Sequence, residues 1–146
     1  MNKIKTFFIL IAILLVGCKE KSKTDVVPVH WDRDMCARCV MVVSDRHNTT
    51  QVRNPNNGKT YMFDDIGCMV LWFRDHKQPW KDQAKIWITD GKTGEWIDAR
   101  KAFYDTTTIT PMAYGFSAHK KREDIPKGEE VIDFNEVVKR VLKIGK

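Results

Sequence analysis

Asn54-Pro55-Asn56-Asn57-Gly58 crowds five turn-forming residues into one stretch, which fits the tip of a hairpin and almost nothing else. The flanks agree. Residues 48–53 carry Thr50 and Val52 at strand spacing, and residues 59–63 carry Tyr61 and Phe63 on one face. The period then changes. Ile66, Met69, Val70 and Phe73 recur at helical spacing and stop by Asp75-His76-Lys77, and Asp64 stands where a capping carboxylate would accept backbone N–H groups. Alternation returns over residues 84–89, with Ile86 and Ile88 on one face and Trp87 on the other. Asp90-Gly91 and Thr93-Gly94 then bracket a turn before Glu95-Trp96-Ile97, a second hairpin.

The first half therefore reads strand, strand, helix, strand, and the second echoes it more loosely. Residues 96–99 are extended, Ala102-Phe103-Tyr104 is short and ambiguous, and residues 107–110 and 113–117 are candidate strands. Residues 123–130 form a charged loop. An amphipathic helix over 134–144 turns Val137, Val138, Val141 and Leu142 inward, and Asp133 with Glu136 gives it a start like a capping box. The class is α+β.

Ahead of this lies a targeting segment. Lys3 and Lys5 precede an apolar run over residues 7–16, and Leu15-Val16-Gly17-Cys18 has the form of a lipoprotein signal. The run is too short for a bilayer core of about 30 Å, which takes roughly 20 residues. The reading is a signal peptide over 1–17, a lipidated Cys18 with a polar tether over 18–27, and a domain over 28–146, lipid-anchored in the cell envelope and facing the periplasm. Ordinary secretory cleavage and an uncleaved anchor are the alternatives. The domain is long enough for one core. Two of the +6 formal charges, Lys3 and Lys5, go with the leader. The remaining basic balance suits anionic headgroups or an acidic partner; its dispersed distribution gives no sign of nucleic-acid binding.

With Cys18 committed to lipid, Cys36, Cys39 and Cys68 remain, and three thiols in an oxidising compartment cannot all be paired within the chain. They sit among thioethers: Met35 precedes Cys36-Ala37-Arg38-Cys39-Val40-Met41, and Cys68 is followed by Met69. A zinc finger wants four ligands, and neither a second C-x-x-C nor a histidine pair is present. A thioredoxin-like pair wants a helix start after a strand, whereas this one precedes a strand-like run. Haem attachment fails because Val40, not histidine, follows Cys39. Soft sulfur donors suit Cu(I), which accepts two or three ligands. If residues 40–44 are extended, Cys39 and Met41 share a face. Met69 is either core filler or a third ligand. Cys68 falls off that helical stripe, as a small buried hydrophobe or an alternate ligand. Among histidines, His47 can complete a Cys/Met/His set; His30 is a weaker candidate, and His76 and His119 stand in polar contexts that suit solvated side chains. Asp34 and Asp45 flank the cluster as groups able to hydrogen-bond a ligand. Asp64-Asp65 is explained by capping rather than acid–base catalysis. The chain reads as a binding protein, not an enzyme.

Taken together, Asp34-Met35-Cys36-Ala37-Arg38-Cys39-Val40-Met41 with Ser44-Asp45, the run from Tyr61 to Met69, Trp96-Ile97-Asp98-Ala99 and Thr110-Pro111-Met112-Ala113-Tyr114-Gly115 resemble the NosL family, lipoprotein copper chaperones serving nitrous oxide reductase. The resemblance implies two ββαβ-like halves, akin to a domain of organomercurial lyases. It places the family's cysteine–any–methionine element on Cys39 and Met41, its helix methionine on Met69 and a recurrent methionine on Met112, and matches His47 only weakly. It further implies Cu(I) binding in the periplasm and delivery, with an ABC-type transporter complex, to the copper-sulfide centre of apo-nitrous oxide reductase. The departure is Val40, where many relatives have glycine; a valine argues for extended backbone and against positive φ. An envelope thiol oxidoreductase using Cys36 and Cys39, a structural lipoprotein and a binder of another soft metal are the competing readings.

Overall fold

The computed structural model describes residues 25–145. The leader, Cys18 and the tether up to residue 24 lie outside the described residues. Among those described, no helix is long and apolar enough to cross a membrane.

The Asn54–Gly58 turn joins strands β1 (Thr50–Arg53) and β2 (Thr60–Phe63), which pair antiparallel with Thr50 opposite Phe63. Asn54 accepts the Asn56 N–H and closes the turn through Gly58 N–H to its carbonyl, so Gly58 takes a φ of 72° that costs glycine nothing. Helix α1 (Ile66–His76) follows, then β3 (Lys85–Thr89) and β4 (Trp96–Asp98). The sheet order is β2-β1-β3-β4, antiparallel throughout. β1 is central, and all four of its residues are buried. Val52 faces the helices, while on the other face Gln51 exchanges two hydrogen bonds with the backbone of Val27. Residues leading into the domain therefore cross the outer face of the sheet.

Helix α1 lies on the sheet through an aromatic cluster. The Trp72 ring sits 4.6 Å from Tyr61, 5.2 Å from Phe73 and 5.7 Å from Phe63, with Trp80 at 6.1 Å. Helix α2 (Phe134–Ile144) packs beside α1 and buries Phe134, Val137 and Val141. Asp133 caps it by accepting the Glu136 N–H, as expected, but Leu142 is 44% exposed rather than inward.

The second half is a reduced version of the first: β5 (Phe103–Asp105), β6 (Ser117–His119), then α2, with Ile132 bridging to Tyr104 just before the helix. Residues 107–110 are not a strand. Asp105 accepts the N–H groups of Thr107 and Thr108 and the Thr108 hydroxyl, which folds that stretch into a nested turn. His119 is buried, not solvated, because Asp105 also meets its Nε2 at 2.8 Å. A parallel bridge between Asp90 and Ala118 ties the small sheet to the large one.

Two further expectations are corrected. Asp65, not Asp64, caps α1: it has extended backbone and accepts the Gly67 N–H at 2.9 Å. Asp64 turns instead to the N–H groups of Ser44 and Asp45, which follow directly on the loop carrying Cys36 and Cys39. Val40 is not extended; its φ is 60°.

Candidate metal centre

Cys36 and Cys39 occupy a closed loop on the edge of the sheet. Asp34 and Val43, then Met35 and Val42, pair antiparallel, and the chain reverses between them. Cys36 N–H donates to Met41 carbonyl at 2.8 Å, and Val40 N–H donates to Cys36 carbonyl at 3.1 Å. Closing both bonds over so few residues needs one left-handed residue, and that residue is Val40. Ala37 N–H donates to Met62 carbonyl and pins the loop to β2. Glycine would adopt this conformation freely, so the loop has the shape a glycine prescribes with a β-branched residue held in it.

Cys68 arrives from elsewhere. It lies in the first turn of α1, where the helix N-terminal dipole favours negative charge. The three sulfurs of Cys36, Cys39 and Cys68 all lie within 4.8 Å of one another. Around a single ion at a metal–sulfur distance of ~2.3 Å, three sulfurs stand about 4 Å apart. A small contraction brings these to bonding geometry. Among the described residues no histidine, aspartate or glutamate joins the group, so the donor set is three soft sulfurs, not a closed tetrahedron of the zinc type.

The surroundings favour a thiolate at Cys36. The Cys68 thiol donates to it, as do the backbone N–H groups of Cys39, Asp64 and Arg38, and together these hold its pKa down at about 5 against the cost of burial. Burial pushes the Cys39 thiol up, and Cys68 is pushed up because it is the donor to Cys36 and is itself buried. Hydrogen bonding and burial together thus favour charge on Cys36 and protons on Cys39 and Cys68. A metal ion would displace the remaining protons.

A second layer braces the thiols. Arg38, between the two loop cysteines, pairs with Asp75 of α1 at 3.3 Å and hydrogen-bonds the Tyr114 phenol. The Tyr114 ring lies flat against Gly67; a Cβ there would stand 2.2 Å from ring carbons. Asp65 holds the segment that carries Tyr114. Beyond Gly67 its carboxylate accepts from Met112 N–H at 3.2 Å, from the Thr110 hydroxyl and from Tyr114 N–H. Burial still raises its pKa.

The other nominated residues are placed as follows. Met41 is 50% exposed beside Cys39, and its backbone N–H faces the Cys39 sulfur. Met69 is buried and lines a cavity between the two helices with Val70, Phe73 and Phe134. Met112 is half-buried against the core. His47 is exposed beside Gly94 in the β3–β4 turn. Asp45 accepts from His47 N–H and Asn48, and Asp34 accepts from His30 N–H, so both organise loop backbone. Sequence reasoning did not single out Arg38, Tyr114 or Gly67. The readable signal was Gly67 itself, since a glycine just inside a helix marks close approach of another group.

A protein-family model described as NosL matches residues 28–138. Among solved structures the chain resembles the crystal structure of the copper chaperone NosL from Shewanella denitrificans, with a TM-score of 0.63 and 13% identity, over 76% of this chain and 94% of that one. That likeness is one of fold. No curated protein matches the sequence significantly.

Proposed function

The chain belongs to the NosL family, and from that premise we propose that it is a copper chaperone which carries Cu(I) as cargo on Cys36, Cys39 and Cys68. The observation that carries this reading is the convergence of three thiols, two from one loop and one from a helix start, which no histidine or carboxylate joins among the described residues. A solved structure of similar fold is described as a copper chaperone. The chemistry is ligand exchange, with no covalent change to a substrate. A three-coordinate Cu(I) leaves room for an incoming sulfur or nitrogen donor. The exposed Val40, Met41 and Val42 beside Cys39 give a recipient an apolar surface to meet. Met41, next to Cys39, is the thioether best placed to share the ion during transfer. We assign Met69, His47 and Met112 no direct bond to the ion in the resting site.

In the same reading the protein is tethered by lipid at Cys18 on the periplasmic side of the envelope. Its recipient is apo-nitrous oxide reductase, reached with an ABC-type maturation complex, for assembly of the copper-sulfide centre. Tethering makes weak docking sufficient by raising local concentration. A thiol oxidoreductase shares one feature with this site, the Cys36 thiolate separated from Cys39 by two residues.

The test is an anaerobic Cu(I) titration against a chromophoric chelator, with Cys36→Ser, Cys39→Ser, Cys68→Ser and Met41→Leu run beside the parent. One ion per chain, weakened by each cysteine change and only modestly by Met41→Leu, is the expected pattern. Binding indifferent to Cys68→Ser removes the three-thiol site, and failure to compete with the chelator removes copper carriage altogether.

A further inference from the structure

The two helices do not close completely. Between α1, α2 and β3 lies a cavity of about 220 Å³, partly open to solvent. Its wall is apolar: Met69 and Phe73 from α1, Ile86 from β3, and Phe134, Val138 and Leu142 from α2. An engineered apolar cavity of about 150 Å³ accepts benzene, so this space admits one alkyl segment and not the paired chains of a diacyl lipid. The wall also includes three cationic residues, Arg74, Lys81 and Arg100, and no acidic one. Arg74 is engaged by Asp75. Arg100 is set rigidly, donating to Lys81 carbonyl at 3.0 Å with its guanidinium 5.3 Å from the Phe134 ring centre. Lys81 meets no carboxylate in the fold within ion-pair distance among the described residues. An apolar slot ringed by cations complements a molecule with an apolar tail and an anionic head.

We propose that this cavity binds a single-chain carboxylate amphiphile, a fatty acid of medium length, with its tail against Met69, Phe73 and Val138 and its carboxylate between Lys81 and Arg100. The site is separate from the thiols, and its ligand requires no metal. Arg100 supplies a planar pair of N–H donors for a carboxylate and Lys81 a mobile point charge. Met69 forms the cavity wall and neighbours Cys68 in the chain, so it reports occupancy directly.

Methionine-methyl NMR of the purified, metal-free protein tests this, because Met69 lines the cavity and the exposed Met35 and Met41 do not. Octanoate is titrated below its micelle concentration, beside octanol and octyltrimethylammonium. The expected result is a saturable shift of Met69 alone with octanoate, at least tenfold weaker for either comparison compound. Lys81→Glu should weaken octanoate at least tenfold and leave the melting temperature unchanged. Val138→Trp should fill the space and abolish the shift; should that variant not fold, Leu142→Trp at the exposed side makes the same test. An unmoved Met69, equal binding of the cationic or neutral compound, or octanoate binding that survives the filled cavity overturns the proposal.

Discussion

Gly67→Ala sets two effects of known sign against each other. In a helix, alanine is favoured over glycine by ~1 kcal/mol, so on propensity alone the change stabilises. The added Cβ, however, would stand 2.2 Å from Cδ2 and Cγ of Tyr114 and 2.6 Å from Cδ1. Those atoms are the root of the ring, not a flexible tip. Tyr114 is only 4% exposed, and its hydroxyl is tied to Arg38. Something must move. Overpacking of this kind costs about 1–3 kcal/mol. Full expulsion of an aromatic ring of ~150 Å² at ~25 cal/mol per Å² sets a ceiling near 4 kcal/mol. The net expectation is a loss of up to about 2 kcal/mol, the overpacking cost less the propensity gain, read by urea unfolding followed through tryptophan fluorescence. In a Tyr114→Ala background the obstacle is gone, and Gly67→Ala should become neutral or stabilising by up to ~1 kcal/mol. The two changes are then coupled by the overpacking cost itself, about 1–3 kcal/mol. Should Gly67→Ala stabilise the parent, or cost the same with and without the ring, the close approach that seats Tyr114 over the helix start would be refuted.

Val40→Gly relieves a left-handed residue that costs about 1–2 kcal/mol and adds chain entropy worth about 0.5–1 kcal/mol; the metal-free protein should be unchanged or more stable by up to ~1 kcal/mol in thermal melts, and a clear loss would mean the loop is not held at positive φ. The Cys36 thiol has a folded pKa of about 5 against 9.0 for the free group, so between those values the unfolded chain binds one more proton and metal-free stability should rise with pH. Cys39 and Cys68, both raised, enter only above that window. Ultraviolet thiolate absorbance should show the matching loss on acidification and vanish in Cys36→Ser; an absorbance that appears only near 9 would contradict the N–H nest around that sulfur. Asp65→Ala removes the α1 cap and leaves Met112, Tyr114 and Thr110 donors without an acceptor; about 2–4 kcal/mol should be lost, with faster hydrogen exchange confined first to residues 110–115. Uniform exchange across the domain would argue against Asp65 as the clasp of that segment.

What could be read in advance divides by range of interaction. The Asn54–Gly58 hairpin, α1, β3 and α2 carry their signals in consecutive residues, because turn chemistry and a 3.6-residue period are local properties. Choosing Asp64 over Asp65 as the cap was a different kind of question. Either carboxylate suits a helix start, and the decision came from Ser44 and Asp45, whose N–H groups claim Asp64 from a loop 20 residues away in sequence. The same limit applies to β6 and His119, which are defined by Asp105 gathering partners on both sides of a long loop. Val40 misled for the opposite reason. Its own preference is extended, but two backbone hydrogen bonds closing Cys36 to Val40 and Met41 override it. The thiol site contains both kinds of information. Cys36 and Cys39 are paired visibly by spacing, whereas Cys68 sits off the apolar stripe of α1, and a helical wheel treats that as a fault in the pattern. Leu71 and Trp72 lie off the same stripe and are buried as well, so periodicity alone did not mark Cys68 out. In this fold Cys68 meets the Cys36–Cys39 loop and completes the three-thiol cluster.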